Sequence, residues 1–185
     1  MKKLFIILLC FMLCGCGGAD DAMDQGLSLR SRLLQASQCV FDAVITADYG
    51  DKTYTFAMGC DFDARGNLSF TVQSPDTIAG ITGIIDGKGG NLTFGDTALS
   101  FPLLADEQLS PVSAPWVFMK SLRGGYITSA GEVDGCVRLV IDDRYEEDPL
   151  TVHIWLNEAQ IPILAEIYYD KRRILTVEVE NYRIM

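Results

Sequence analysis

From Cys39 to the C-terminus, apolar side chains recur at every second position in one run after another. Leu68, Phe70 and Val72 form such a set, as do Leu99, Phe101 and Leu103, then Val137, Leu139 and Ile141, then Ile161, Ile163, Ala165 and Ile167. Period two is the repeat of an extended strand, in which successive side chains point to opposite sides. One apolar side and one wet side is the pattern of antiparallel sheet. It excludes a helical body for this part of the chain, because amphipathic helices repeat near 3.6.

Turn residues divide the pattern into about eleven runs, at the close spacing of an antiparallel meander. The first six are Cys39–Asp48, Asp51–Phe62, Asn67–Gln73, Thr77–Ile85, Asn91–Phe94 and Ala98–Leu104. The last five are Tyr126–Ala130, Cys136–Asp142, Leu150–Asn157, Ile161–Asp170 and Arg173–Arg183. Between the two groups, SPVSAPWVFMKSL has its prolines early and Gly124-Gly125 behind it. Proline is accepted in the first turn of a helix and glycine ends one, so a short helix is expected over Pro115–Arg123. Ahead of the strands, Leu29, Leu33 and Leu34 stand at helical spacing within Leu27–Gln38, with Ser28 a candidate cap. A single sheet this large curls. Its apolar hollow must then be covered, and two short helices are little material for that. Either the sheet closes on itself or it leaves a cavity suited to an apolar ligand.

The N-terminus reads MKKLFIILLCFMLCGCGG. Lys2 and Lys3 precede an apolar run from Leu4 to Leu13 that is about half the length of a spanning helix, which favours a cleaved export signal. Leu13-Cys14-Gly15-Cys16 resembles the bacterial lipobox, whose last cysteine is acylated and becomes the new N-terminus. That resemblance makes residues 1–15 the signal and Cys16 the lipid attachment, with an ordinary signal and an incidental Cys16 as the alternative. The polar stretch 16–26 then reads as a tether and 27–185 as one domain. The implied place is the extracytoplasmic face of the cell membrane, or an outer membrane where the host has one. The formal net charge is −10, and two units more negative once Lys2 and Lys3 leave. Nucleic acid and anionic headgroups both require a basic surface, so neither is an expected partner.

The lipobox, the leading helix, the paired strands and above all the segment IPILAEIYYDKRRILTVEVENYRI resemble the LolA/LolB and LppX/LprG superfamily. In that segment a Pro-led strand, a charged turn and a last strand closing on Asn181-Tyr182 mimic the usual C-terminal hairpin. The resemblance implies a mainly β (α+β) fold: a single curved antiparallel sheet of about eleven strands, an incomplete barrel whose concave side is covered by an N-terminal helix and a short inserted helix. It implies a membrane-anchored, non-enzymatic lipoprotein holding a lipid-like ligand in the hollow. The alternative comes from a clostridial branch, the GerS-like germination lipoproteins, in which the fold supports a cell-wall amidase as a protein partner.

Candidate cavity residues are Phe41, Phe56, Met58, Phe70, Phe101, Trp116, Phe118 and Met119. The last three suit a lid over acyl chains and equally suit plain closure of a core. If Tyr49-Gly50 is a two-residue hairpin loop, Cys39 falls opposite Cys60 at a separation compatible with a disulfide, the alternative being two buried thiols. No cofactor is implied. Asp61–Asn67 begins like a calcium loop, but Arg65 and Val72 stand where oxygen ligands belong, so a hairpin turn is the better reading. Asp86–Asn91 is glycine-rich without a following helix and reads as a turn as well. The acidic group Asp142, Asp143, Glu146, Glu147 and Asp148 reads as a solvated loop. His153, the one histidine, has no nucleophile in a recognisable motif beside it.

Overall fold

The computed structural model describes residues 17–105, 108–143 and 150–185. The expected signal, the expected acylation site Cys16 and the acidic residues Glu146, Glu147 and Asp148 lie outside them.

The elements run α1 (Gly17–Gln35), β1 (Gln38–Asp48), β2 (Thr53–Asp63), β3 (Leu68–Ser74), β4 (Thr82–Asp86), β5 (Gly89–Phe94) and β6 (Thr97–Phe101). A two-stranded ribbon, β7 (Leu104–Ala105) and β8 (Gln108–Leu109), and a 3-10 turn at Pro111–Ser113 lead into α2 (Ala114–Gly124). Then follow β9 (Tyr126–Val133), β10 (Cys136–Asp143), β11 (Leu150–Leu156), β12 (Pro162–Tyr169) and β13 (Arg172–Ile184). Eleven strands form one sheet in the order β6-β5-β4-β3-β2-β1-β13-β12-β11-β10-β9. Two meanders are thus joined through the first and last strands, with Ala43 opposite Val179 and Ile45 opposite Val177. The edges β6 and β9 do not pair with each other. The sheet is a half-barrel, and the chain that leaves one edge for the other carries α2 across the open side.

One face of the sheet holds the core. Phe41, Ala43, Ile45, Met58, Leu68, Leu139, Ile141, Val152, Ile154, Ile167 and Val177 are all buried there. Alternation read from the sequence accounts for that face because each of these residues sits two positions from the next in its strand. Helix α2 is buried nearly all round, from Ala114 through Met119 and at Leu122. Its ends are fixed by polar contacts. Trp116 Nε1 donates to the Gly66 carbonyl at 2.9 Å, and Arg123 donates to the carbonyls of Asp63 and Ala64 at 3.3 and 3.1 Å. Arg30 of α1 donates to the Leu122 carbonyl at 2.8 Å and to that of Ser121 at 3.4 Å. One helix therefore satisfies the carbonyls that the last turn of the other leaves open.

Four expectations are corrected. The leading helix starts at Gly17 and ends at Gln35, so the stretch taken as a tether is helical up to and beyond Gly26. Its buried stripe is Ala22, Gly26, Leu29 and Leu33, while Leu34 is exposed. Gly26 belongs in that stripe because the helix backbone lies against β10: a Cβ there would stand 2.7 Å from Leu139 Cδ2. The β1–β2 connection is a four-residue loop, Tyr49 to Lys52, closed by Tyr49 N–H donating to the Lys52 carbonyl at 3.0 Å. Register moves by two, which keeps every side chain on its face but changes its partner. Within β12, Ile163 is the extra residue of a bulge between the Trp155–Leu164 and Leu156–Pro162 pairs. Pro162, Ala165 and Ile167 are buried, whereas Ile163 turns outward. Lastly, Leu99 has the right phase for the concave face yet is 61 % exposed, because neither helix extends over β6.

Candidate functional site

The hollow of the half-barrel is where the sequence places a ligand. Seven of the eight candidate residues, Phe41, Phe56, Met58, Phe70, Trp116, Phe118 and Met119, are buried members of one hydrophobic cluster, and Phe101 is half-buried at its margin. Phe118 of α2 meets Phe41 of β1 edge-on at 5.8 Å, and Phe41 meets Tyr182 of β13 at 5.9 Å. These rings hold helix and sheet together across the hollow. A void between Leu33, Cys39, Phe62 and Met119 measures about 10 Å³, room for roughly one water.

Apolar surface is left over on one wing. Register carries the concave phase from Phe70 through Gly83 and Leu92 to Leu99. Phe94, of the same phase, is 58 % exposed, and Tyr54 on β2 is exposed as well. Gly83 and Gly90 are required on this wing, since a Cβ at either would enter the rings of Phe70 or Phe101.

Cys39 and Cys60 are free thiols, as is Cys136. The four-residue loop sets Cys39 opposite Phe62 and Cys60 opposite Phe41, so the two cysteines are diagonal neighbours rather than a facing pair. Burial pushes the Cys39 thiol up to about 11 against the opposing hydrogen bond with Tyr182, and burial followed by the Asp42 charge raises Cys60 further. Thiolate is the reactive form. Ellman's reagent at pH 8 should therefore titrate Cys136 in the native protein, with Cys39 and Cys60 reacting only after denaturation. Rapid reaction of all three natively, or two thiols missing after denaturation without reductant, would contradict this arrangement.

The loops that imitate ligand sites are turns. Asp63 Oδ1 accepts from the backbone N–H groups of Arg65 at 2.8 Å and Asn67 at 2.9 Å, and Asp63 Oδ2 accepts from Asn67 Nδ2 at 2.9 Å. Asp86 Oδ1 likewise accepts from the N–H of Lys88 at 2.7 Å. Both carboxylates are engaged in closing their own hairpins. Asp143, at the end of β10, is buried and paired with Lys120 of α2 at 3.1 Å. Among the described residues no three His, Cys, Asp or Glu side chains come together as a metal site. His153 lies on the outer face between Tyr168 at 4.6 Å and Trp155 at 6.0 Å. Burial and then the charge of Arg138 lower its pKa, with Glu166 opposing.

The outer face also carries a groove of about 810 Å³ across β13, β1, β2, β3, β4 and β5. Its centre is built by a bulge. Between the Val40–Arg183 and Asp42–Glu180 pairs, Asn181 and Tyr182 together face Phe41, and Asn181 takes the left-handed conformation at φ 52°. The bulge lets Tyr182 turn into the core after Leu175, Val177 and Val179, and it leaves Asn181 on the outside. There Asn181 Nδ2 donates to Asp42 Oδ2 at 2.7 Å, and Gln73 Nε2 donates to Asp42 Oδ1 at 3.1 Å. Sequence reasoning passed over this group. The signal was present in β13, where an apolar spacing of two becomes three between Val179 and Tyr182.

Neither a family model nor a curated protein matches the sequence. Solved structures do match in fold. A DUF1329 family protein from Desulfovibrio piger superposes with a TM-score of 0.50 at 9% identity, over 90% of this chain and 93% of that one. A LolA superfamily protein from Nitrosomonas europaea has a TM-score of 0.48 at 10% identity, over 92% and 94%. The Mycobacterium tuberculosis lipoprotein LppX has a TM-score of 0.42 at 11% identity, over 88% and 93%. At these identities the likeness is one of fold; the half-barrel architecture read from the sequence holds on the topology itself, one open antiparallel sheet of eleven strands with a leading and an inserted helix.

Proposed function

We propose that this chain is a non-enzymatic lipoprotein, held at the extracytoplasmic face of a membrane through Cys16, that acts as a binding module by its exposed surfaces. The observation that carries the reading is the filled hollow. Trp116, Phe118 and Met119 are buried in one cluster with Phe41, Met58 and Tyr182, Phe118 edge-on to Phe41 and the Tyr182 hydroxyl against the Met119 sulfur, where an acyl chain would need room. Interiors packed this way resist insertion of further methylenes, at about 1–3 kcal/mol for overpacking. A cell-envelope protein partner, as in the GerS-like alternative, fits a filled interior. A second reading, a lipid-like ligand, is favoured by the uncovered apolar wing at Leu92, Phe94 and Leu99.

Native mass spectrometry of the full chain purified from its own host separates the two. The filled-interior reading expects the mass of the acylated chain alone. A stoichiometric additional lipid, released on denaturation, would overturn it in favour of the second reading.

A further inference from the structure

We infer that the free edge of β6 is an interface between two copies of this chain, joined by antiparallel pairing of β6 with β6 about a two-fold axis at Leu99. The inference goes beyond the proposed function and is independent of what the hollow holds.

The two edges of the sheet are built differently. A strand edge offers unpaired N–H and C=O groups to any other strand, and proteins blunt it with charge, proline, a bulge or a cover. The β9 edge has three of these. Glu132 is an exposed charge, and α1 packs along the strand. Thr128 is the extra residue of a bulge between the Ser129–Val140 and Ile127–Ile141 pairs, its hydroxyl donating to the Val140 carbonyl at 3.1 Å. The β6 edge, Thr97–Phe101, has no charge, no proline and no bulge against β5, and Pro102 ends it.

The hydrogen-bond phase of β6 fixes which groups are free. A two-residue turn, Gly95-Asp96, joins β5 to β6, so the closing pair Phe94–Thr97 exchanges both of its backbone bonds. The pairs Leu92–Leu99 and Gly90–Phe101 repeat that phase two and four residues on. Ala98 and Ser100 therefore direct their N–H and C=O groups away from β5, to the open side. Two copies that share these groups form four hydrogen bonds, Ala98 of each with Ser100 of the other. Leu99 then faces Leu99 as a non-hydrogen-bonded pair, the arrangement in which side chains stand closest.

This register puts the concave faces of both copies on one side. Leu92, Leu99 and their counterparts then make one continuous apolar row, flanked by Phe94 of each copy. It pairs off the exposed side chains that no helix roofs. Charge also favours it. Copies with a formal net charge of −10 repel one another, and an interface between them needs a neutral strip. Residues 97–102 carry no charge, and Asp96 comes opposite Pro102 of the second copy rather than another acid. Pairing β6 with the β9 of another copy would instead propagate as an open filament, and β9 is blunted. Five residues a side is less than stable interfaces bury, so the contact is transient and is best read by trapping it.

The test is disulfide trapping of the purified full chain under mild copper–phenanthroline oxidation, read on a non-reducing gel. The unsubstituted chain supplies the background from Cys136. At the axis the two Leu99 Cα atoms stand about 4.5 Å apart, within disulfide range, whereas the two Thr97 Cα atoms are about 14 Å apart. Both positions are exposed on the same face. Leu99→Cys should therefore form covalent dimer at least about tenfold faster than Thr97→Cys. Adding Ser100→Pro to Leu99→Cys removes an N–H directed at the open side and not at β5. The melting temperature should hold while trapping falls by a similar factor. Should the proline lower the melting temperature, the comparison of positions 97 and 99 decides alone. Equal trapping at the two positions overturns the proposal, and so does trapping that Ser100→Pro leaves unchanged. No covalent dimer from Leu99→Cys above background also overturns it, and would leave this wing to a lipid or to another protein's strand.

Discussion

Replacing Phe118 with alanine should cost about 3–5 kcal/mol, the range for deleting a buried aromatic ring, out of a total of about 5–15 kcal/mol for a domain of this kind. The cost falls toward the upper end when the surroundings cannot collapse into the space. Here they are held by separate constraints. Phe41 and Tyr182 project from β1 and β13, the pair of strands that joins the two meanders. On the helix side, Trp116, Arg123 and Arg30 tie α2 to the β2–β3 turn and to α1. The ring is therefore removed from between two walls that are anchored elsewhere. Urea titration should show a lower midpoint with an unchanged slope. A loss below about 1 kcal/mol would mean that α2 can settle into the sheet, and that the hollow is softer than its packing implies.

Cys16→Ser should move the protein from the membrane fraction to the soluble one. The proposed signal and acylation site lie outside the described residues, and among those described no helix is long and apolar enough to cross a membrane. On the proposed acylation of Cys16, attachment rests on the acyl chains, each buried methylene contributing about 0.8 kcal/mol, and a serine cannot form the thioether that carries them. Detergent phase separation of the two proteins, with mass spectrometry of the N-terminal peptide, reads the result directly. A serine variant that stays with the detergent phase would remove Cys16 as the anchor and leave the ordinary-signal alternative.

Much of the fold was legible because most of its information is carried by period-two alternation. Leu68-Phe70-Val72 and Val137-Leu139-Ile141 are buried on the face expected of them. The prolines and the apolar cluster before Gly124 located α2 to within a residue at each end. What escaped was everything that depends on a neighbour distant in sequence. Gly26 closes a stretch read as a polar tether, yet it lies inside the helix, at the point where β10 approaches the backbone too closely for a side chain. Ile163 and Asn181 are extra residues in their strands, and a bulge is defined by the partner strand as much as by its own. The cysteine register failed for a smaller reason. A four-residue loop and a two-residue loop both fit DYGDK, and only the closed hairpin tells them apart. Leu99 has the alternation of a core residue but lacks a roof, which no property of β6 itself determines. The Asp42 group was the least visible, since its three side chains come from positions 42, 73 and 181.

Helix α1 has a mechanical consequence for a molecule anchored at Cys16. On the proposed acylation of Cys16, a helix whose first turn is at Gly17 and whose stripe is seated on β9 and β10 would leave little slack between bilayer and body. A flexible leash would let the domain sample a hemisphere. A rod of 19 residues, about 28 Å long and packed along its flank on the sheet, would instead fix standoff and tilt together. The domain would then patrol a thin shell above the headgroups in a preferred pose, meeting only targets that present themselves at that height.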